Sequence, residues 1–201
     1  MSKLINEVDS NKSIAKNLDN FFAPSSYFIN DPYSGSLVQQ FIINNGKNFL
    51  NDIQSITVNE NVRSDAIQIA EGTYSPLKGF MDLDEMKSIL YNNRMNDGLY
   101  WTLPIVFQIN RKESEKITIG GEIFLKRNTD SEPFGLIKNI NVQKMNNMKK
   151  LAKSWFGTDD TKHPGVDLFM NNGDYLLSGK VLLFKDNKST HKSYYELTPK
   201  Q

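Results

Sequence analysis

The spacing of the apolar residues changes near the middle of the chain. Up to the turn signal "NDG" at 96–98 the spacing is helical, and beyond it the runs "LYWTLPIVFQIN", "KITIGGEIFLKR" and "PFGLIKNINV" are typical of strands. A helix is predicted from about Met145 to Trp155, and a further strand over Leu176–Phe184. Two helices followed by short strands, with one inserted helix, predict an α+β fold around a small barrel.

Polar residues and glycine mark the ends of the two early helices. Ser64 is predicted to cap a helix over Asp65–Glu71, and Gly72 stands where helices commonly stop. Asp82, with Glu85 three residues later, has the spacing of a capping box. The apolar stripe of the helix that follows comprises Leu83, Met86, Ile89 and Leu90.

The first 35 residues form an extension that is polar and rich in Asn and Ser. Their apolar residues at helical spacing are Ile14, Leu18, Phe21 and Phe22. This spacing predicts either a short docking helix or a flexible tail. The domain itself is expected to span residues 36–201.

Composition excludes several classes of protein. The chain has 201 residues, of which 38% are apolar, so it can bury a core, and its net charge of +1 gives no overall field that attracts nucleic acid or anionic membrane. The absence of cysteine excludes disulfides and thiolate metal sites. The sequence contains neither an apolar run long enough to span a membrane nor the pattern of a secretory signal, so we expect a cytoplasmic protein without membrane contacts.

The glycines near the C-terminal end do not form a nucleotide-binding loop. A P-loop needs four residues between its glycines and a hydroxyl residue after the lysine, whereas five residues separate Gly173 from Gly179 and Val181 follows Lys180. The pair at 120–121 lies between two alternating runs and predicts a tight hairpin, because glycine supplies the positive φ that such a turn requires. We therefore expect no cofactor.

His163 is interpreted as a structural residue. A catalytic triad needs a nucleophile and an acid around the imidazole, and a metal site needs three or more ligands, but the chain has two histidines and no cysteine. Pro164 keeps His163 out of the helical conformation, and we expect the ring to hydrogen-bond the turn that follows "TDD". No catalytic residue and no metal site are predicted.

Four lysines surround the predicted third helix and give it a basic outer face. They are Lys144, Lys149, Lys150 and Lys153. A solvated surface is the first interpretation, and a site for RNA or an acidic partner is the alternative.

Four segments together resemble one known family. They are "EGTYSPLKGFM" (71–81), "DGLYWTLPI" (97–105), "ITIGGEIFL" (117–125) and "FGTDDTKHPGVDLFMNNGDYLLSGKVLLF" (156–184). In order and spacing they resemble the N-terminal region of ATP sulfurylase, the sulfate adenylyltransferase, from about Ser36 to the terminal "YYELTPKQ". The resemblance implies a PUA-like β pseudo-barrel with flanking helices over residues 36–201.

The resemblance also singles out individual residues as family motif and partner interface. They are Ser75, Pro76, Leu77, Gly79, Phe80, Met81, Trp101, His163, Pro164, Gly165, Gly173, Tyr175 and Gly179. The stretch "YSPLKGFM" is expected to contribute to an exposed apolar patch that meets another domain. The residues from His163 to Gly179 are expected to hold turns and the closing strand, and Ser178 stands where the family more usually has glycine.

The resemblance does not extend to the catalytic domain of the family. Adenylyl transfer belongs there to the following domain, whose signature resembles Gln-x-Arg-Asn-x-x-His, whereas the Arg127-Asn128 pair of this chain has no histidine after it. The resemblance therefore implies a non-catalytic accessory module of sulfate activation, which acts through an ATP sulfurylase catalytic domain or by self-association. Two alternatives stay open: a stand-alone PUA-like module that binds RNA or protein, and an intact enzyme.

Overall fold

The computed structural model describes residues 33, 35–42, 54–129, 132–185 and 199. Within these residues the strands are β1 (Phe41–Ile42), β2 (Ser55–Thr57), β3 (Gly79–Phe80), β4 (Gln108–Ile109), β5 (Glu122–Lys126), β6 (Gly135–Lys144) and β7 (Tyr175–Phe184). The helices are α1 (Glu60–Glu71), α2 (Leu83–Asn92), α3 (Arg111–Ser114), α4 (Met148–Phe156) and α5 (Pro164–Asn171). The docking helix or tail predicted within residues 1–35 has its apolar positions outside the described residues.

Helix α1 begins one turn earlier than its sequence predicts. The side chain of Asn59 accepts a hydrogen bond from the Val62 N–H at 2.9 Å and caps the helix, so the prediction that Ser64 is the cap is wrong. Asn59 comes two residues after β2, and the chain turns into the helix as soon as that strand ends. Gly72 ends the helix with a φ of +94°, as predicted.

Helices α2 and α4 confirm their predictions in part. Asp82 caps α2 by accepting hydrogen bonds from the first-turn N–H groups, but the Glu85 carboxylate accepts from the Asn96 N–H at 3.2 Å instead of from the Asp82 N–H. The capping box is therefore half formed. Helix α4 begins at Met148 rather than near Met145, whose N–H donates to the Asp174 carbonyl at 2.7 Å and extends the pairing of β6 with β7.

Strand β7 organises the sheet because both of its edges are paired. Along one edge β7 pairs with β6 in the antiparallel direction. Along its other edge it pairs in turn with β4 and β3, both antiparallel, and with β1, which is parallel. The sheet continues from β6 to β5 and then to β2, which runs parallel to β5. In the described part of the chain β1 and β2 stand at opposite ends of this order and do not pair. The mixed helix and strand content is confirmed, whereas closure into a barrel is not.

Two apolar runs that predicted strands behave differently in the structure: one forms a much shorter strand, and the part of the other before its glycine pair forms none. In the run at 99–110 the residues that form a strand are Gln108–Ile109. Helix α3 ends before the run at 116–119, which precedes the glycine pair and forms no strand. There the Gly121 N–H donates to the Thr118 carbonyl in a turn, so the predicted hairpin is wrong. Gly120 has the expected positive φ of +78°, but its N–H donates to the Ile140 carbonyl across the sheet.

The core divides among the faces of the sheet. The largest cluster lies between the sheet and α1 and includes Ile69, Ile137 and Leu177. A second cluster lies among α2, α4, α5 and the start of β7, where Leu176 contributes to it. Leu176 and Leu177 serve different clusters because successive side chains of a strand point to opposite faces.

Candidate functional site

The motif "SPLKGFM" at 75–81 lies between α1 and α2 and runs beside β7. Leu77, Phe80 and Met81 are only 5%, 4% and 3% exposed, and the Phe80 ring lies 5.4 Å from the Phe107 ring. The prediction that this stretch contributes to an exposed apolar patch is therefore wrong. Its apolar side chains fill the largest core cluster, because the strand pairing with β7 turns them inward.

The polar residues of the motif segments are also engaged inside the fold. The Ser75 hydroxyl donates to the Gly72 carbonyl at 2.6 Å, and the peptide bond before Pro76 is cis. Trp101 packs against the largest core cluster, and its indole N–H donates to the Leu103 carbonyl at 2.7 Å. Both hydrogen bonds are local, since each joins residues only two or three positions apart in the same segment.

Two motif glycines meet where β3 crosses β7. In this antiparallel pair Gly79 lies opposite Lys180, and Phe80 lies opposite Gly179. A methyl group added to Gly79 would overlap the carbonyl group of Gly179. Gly79 thus allows the two backbones to approach, and Gly179 itself has a φ of +150°, which other residues rarely adopt.

His163 caps helix α5, which the apolar pattern did not predict. Its Nδ1 atom accepts hydrogen bonds from the N–H groups of Gly165 at 3.2 Å and Val166 at 3.4 Å. Pro164 occupies the first helical position, where a missing N–H costs nothing. The signal in the sequence was a proline just inside a helix start with Val166 and Phe169 at helical spacing after it.

Replacing His163 with alanine is expected to lower the free energy of unfolding by about 1 kcal/mol, because two N–H groups lose their acceptor. His163→Asn keeps a capping acceptor and should cost less. Urea unfolding followed by circular dichroism measures both. Lys162→Ala, at an exposed neighbouring position, is the control. Equal midpoints for His163→Ala and Lys162→Ala would contradict the capping role.

The remaining residues of the C-terminal motif connect α5 to β7. The Gly173 carbonyl accepts a hydrogen bond from the Gln108 side-chain amide at 2.8 Å, which ties this junction to β4. Tyr175 begins β7 and is half-buried, with the Lys144 ammonium 5.8 Å from the centre of its ring. These contacts are structural.

The predicted basic face is present on helix α4. Lys149, Lys150 and Lys153 are exposed, and the Lys150 ammonium lies 5.9 Å from the centre of the Tyr91 ring. Lys144 is apart from them at the end of β6, with its ammonium 3.7 Å from the Asp174 carboxylate. Three of the four lysines therefore share one surface.

The four arginines do not converge on a common point. Arg63 and Arg127 both lie near Glu60. Arg94 stacks on the Tyr100 ring, and Arg111 pairs with Glu115. Among the described residues no group of three or more His, Asp or Glu side chains is placed to hold a metal ion. The described part of the chain contains no helix with the length and apolar character needed to cross a membrane.

A groove of about 530 Å³ lies between α1, the segment 103–108 and the helices α4 and α5. At one end the Tyr74 hydroxyl donates to the Asp65 carboxylate at 3.3 Å. Burial raises the pKa of Asp65, and the hydrogen bond from Tyr74 partly opposes it. Burial also raises the pKa of Tyr74, with the Asp65 charge adding to the effect. The apolar pattern placed Asp65 at a helix start and gave no sign of this groove.

Asp65→Asn is expected to raise the stability at pH 7 and to leave it unchanged at low pH. Burial raises the pKa of Asp65 above its ordinary value of 3.8, so the folded chain binds this proton more tightly than the unfolded chain. The ionised carboxylate destabilises the fold above the folded pKa, and this penalty fades as the pH falls through that value. Urea midpoints of both proteins across the pH range test this. A wild type that is the more stable protein at pH 7 would contradict it.

A second, shallower groove of about 710 Å³ borders the motif at 75–81. Its lining carries both signs of charge, because it includes Lys78 and Lys180 as well as Asp82, Glu85 and Asp97. Burial raises the pKa of Glu85, and the neighbouring acids add to this, while the hydrogen bond from Asn96 opposes it. Mixed charge selects no single class of ligand.

The arrangement of strands around β7 is found in a solved structure. A hexameric APS kinase from Thiobacillus denitrificans has a region of the same fold, with a TM-score of 0.55 and 18% identity, which covers 76% of this chain and 26% of the other. The profile of the PUA-like domain family matches residues 30–186. The chain belongs to the PUA-like domain family.

The curated relatives are enzymes of sulfate chemistry that are longer than this chain. A sulfate adenylyltransferase from Pelodictyon phaeoclathratiforme is 30% identical over 148 residues, which is 73% of this chain and 36% of that protein. One from Cenarchaeum symbiosum is 25% identical over 169 residues, 84% of this chain and 43% of the relative. The chain thus spans less than half the length of these relatives.

Proposed function

We propose that this chain is a non-catalytic accessory domain of sulfate activation, the reaction of ATP with sulfate that gives adenylyl sulfate and pyrophosphate. It acts by docking on a catalytic domain of the sulfate adenylyltransferase type. The observation that carries the proposal is the unequal coverage: the Cenarchaeum symbiosum enzyme matches 84% of this chain, but the match takes up only 43% of the enzyme. The pseudo-barrel implied by the resemblance is part of the same proposal.

The placement of the arginines supports a role without catalysis. A site that joins sulfate to a phosphate group brings anions together, so it gathers cations and helix N-termini around them. Here Arg63 and Arg127 lie near the same carboxylate, that of Glu60, and Arg111 pairs with Glu115. The described residues of this chain therefore offer no cluster of arginines to the anionic substrates.

The test uses the Pelodictyon phaeoclathratiforme sulfate adenylyltransferase, produced without the region that this chain matches. Isothermal titration measures binding of the full chain to this truncated enzyme, whose folding is checked by circular dichroism. Pyrophosphate release from ATP and sulfate is measured for each protein alone and for the mixture. We expect binding, and a rise in turnover of about tenfold, equivalent to about 1.4 kcal/mol in the activation barrier.

The other outcomes are equally informative. No heat of binding at about 100 µM, where interactions with millimolar dissociation constants begin to register, would contradict docking. Pyrophosphate release by the chain alone would favour the intact enzyme instead.

A stand-alone RNA-binding module is the second candidate, and the exposed surface of α4 favours it. Lys149, Lys150 and Lys153 lie there beside Tyr91, which is also exposed. RNA binding through three phosphate contacts would give a logarithmic salt dependence with a slope of about −2. A variant with glutamate at all three lysines should lose that binding, and an unchanged affinity would exclude the RNA function.

A further inference from the structure

The groove beside Asp65 has an apolar wall that is exposed within the described part of the chain. Leu103 and Leu168 line it and are 55% and 50% exposed, although both are large aliphatic residues. Trp155, on α4, also lines the groove and is half-buried, with its ring stacked 5.0 Å from that of Phe156. Half-exposed leucines beside a fixed indole ring form a surface suited to an apolar side chain of another molecule.

The charged residues that line the groove in the described part of the chain have one sign. Asp65 and Glu113 are acidic, and none of the described lining residues is lysine, arginine or histidine. The Glu113 carboxylate is engaged in capping α3, where it accepts from the Asn110 N–H at 2.9 Å. The Asp65 carboxylate accepts a hydrogen bond from Tyr74 and has no ion pair in the described part of the chain.

The combination of an apolar wall and an uncompensated carboxylate restricts the ligand. A half-buried carboxylate is stabilised when a cation replaces the water it has lost, so the acidic end favours an ammonium or guanidinium group. The same charge repels phosphate and nucleic acid, which separates this groove from the lysines of α4. The acidic end and the leucines together fit a protein segment that carries both a cationic and an apolar side chain.

We propose that the groove is the docking site for a segment of the catalytic partner in which a lysine or arginine lies close to an aliphatic or aromatic side chain. The apolar side chain packs against Leu103, Leu168 and Trp155, and the cation pairs with Asp65. This inference rests on the proposed function and adds the surface and the chemistry by which docking takes place.

The test compares groove variants with matched controls outside the groove. Asp65→Asn removes the charge but keeps an acceptor for Tyr74, and Leu168→Gln replaces an exposed apolar side chain by a polar one of similar size. Their controls are Asp159→Asn and Ile119→Gln, both at exposed positions that do not line the groove. Each full-length variant is titrated with the truncated Pelodictyon phaeoclathratiforme enzyme, and urea unfolding verifies that it is folded.

We expect each groove variant to weaken binding at least about tenfold and each control to change it less than about twofold, the tenfold loss being about 1.4 kcal/mol. Wild-type binding that both groove variants retain would overturn the groove as docking site while leaving the accessory function intact. Failure of the wild-type chain to bind would overturn both. Sedimentation of the chain alone completes the test, since a dimer that Leu168→Gln dissociates would identify a second copy as the occupant and overturn the partner proposal.

Discussion

Replacing Phe80 with alanine is expected to lower the free energy of unfolding by about 3–5 kcal/mol. Phe80 is 4% exposed and packs against the Phe107 ring in the largest core cluster, so truncation leaves a cavity that the paired strands around it cannot fill. Urea unfolding followed by far-UV circular dichroism gives the free energy. A protein this destabilised should also have a markedly lower melting temperature.

The control for this change lies two residues away. Lys78 is exposed, and Lys78→Ala is expected to change the stability by no more than about 0.5 kcal/mol. If Phe80→Ala left the stability unchanged and instead abolished binding to a catalytic domain, the motif would be an interface after all. The buried position of the ring predicts the opposite.

Gly79→Ala is expected to destabilise the fold by about 3 kcal/mol, although it adds a single methyl group. That methyl group would overlap the carbonyl carbon and oxygen of Gly179, which belong to the backbone of β7 and have no rotamer to change. Strand β3 would have to move away from β7 and lose its pairing. Chemical unfolding of the purified variant measures the cost.

Gly98→Ala is the matched control for a change from glycine to alanine. Gly98 has a φ of +92°, but no atom of the described residues lies within 4 Å of the position that its Cβ would occupy, so the variant measures conformational strain, about 1 kcal/mol. A cost for Gly79→Ala no larger than that for Gly98→Ala would show that the approach of β3 to β7 does not require glycine.

Local signals predicted the elements whose ends depend on nearby residues. Gly72 and Asp82 end and begin their helices as predicted, because a left-handed glycine and a capping carboxylate act within one turn. Ser64 failed as a cap because Asn59 offers the same chemistry one turn earlier, next to the end of β2. When two residues could each cap a helix, the tertiary structure determines which of them does.

The apolar alternation before Gly120 shows why short runs mislead. Ile117 and Ile119 alternate as in a strand, but Ile119 is 67% exposed and this segment has no partner strand in the described structure. Strand formation depends on a neighbour that local periodicity does not reveal. By contrast, β6 and β7 are long and mutually paired, and both were predicted.

The candidate groove was beyond prediction for a related reason. Its lining comes from segments as distant as Thr57 and Asn172, so the proximity of Asp65, Leu103 and Leu168 is a property of the fold alone. The motif residues, in contrast, were visible in the sequence, but their burial was not. Family motifs of this kind mark positions that the fold requires as readily as positions that bind.

The central place of β7 has a consequence for how the protein is made. Phe41 in β1 pairs with Leu183 in β7, and β3, β4 and β6 also pair with β7, so the sheet combines residues from almost the whole described length. Pairing over such sequence distances slows folding, because the entropy of closing long loops is lost before the strand contacts can stabilise the fold. On the ribosome, strands β1 to β6 emerge before the strand that joins them. Until β7 is synthesised, β1, β3 and β4 lack the strand they pair with in the folded chain, and such unpaired edges favour aggregation.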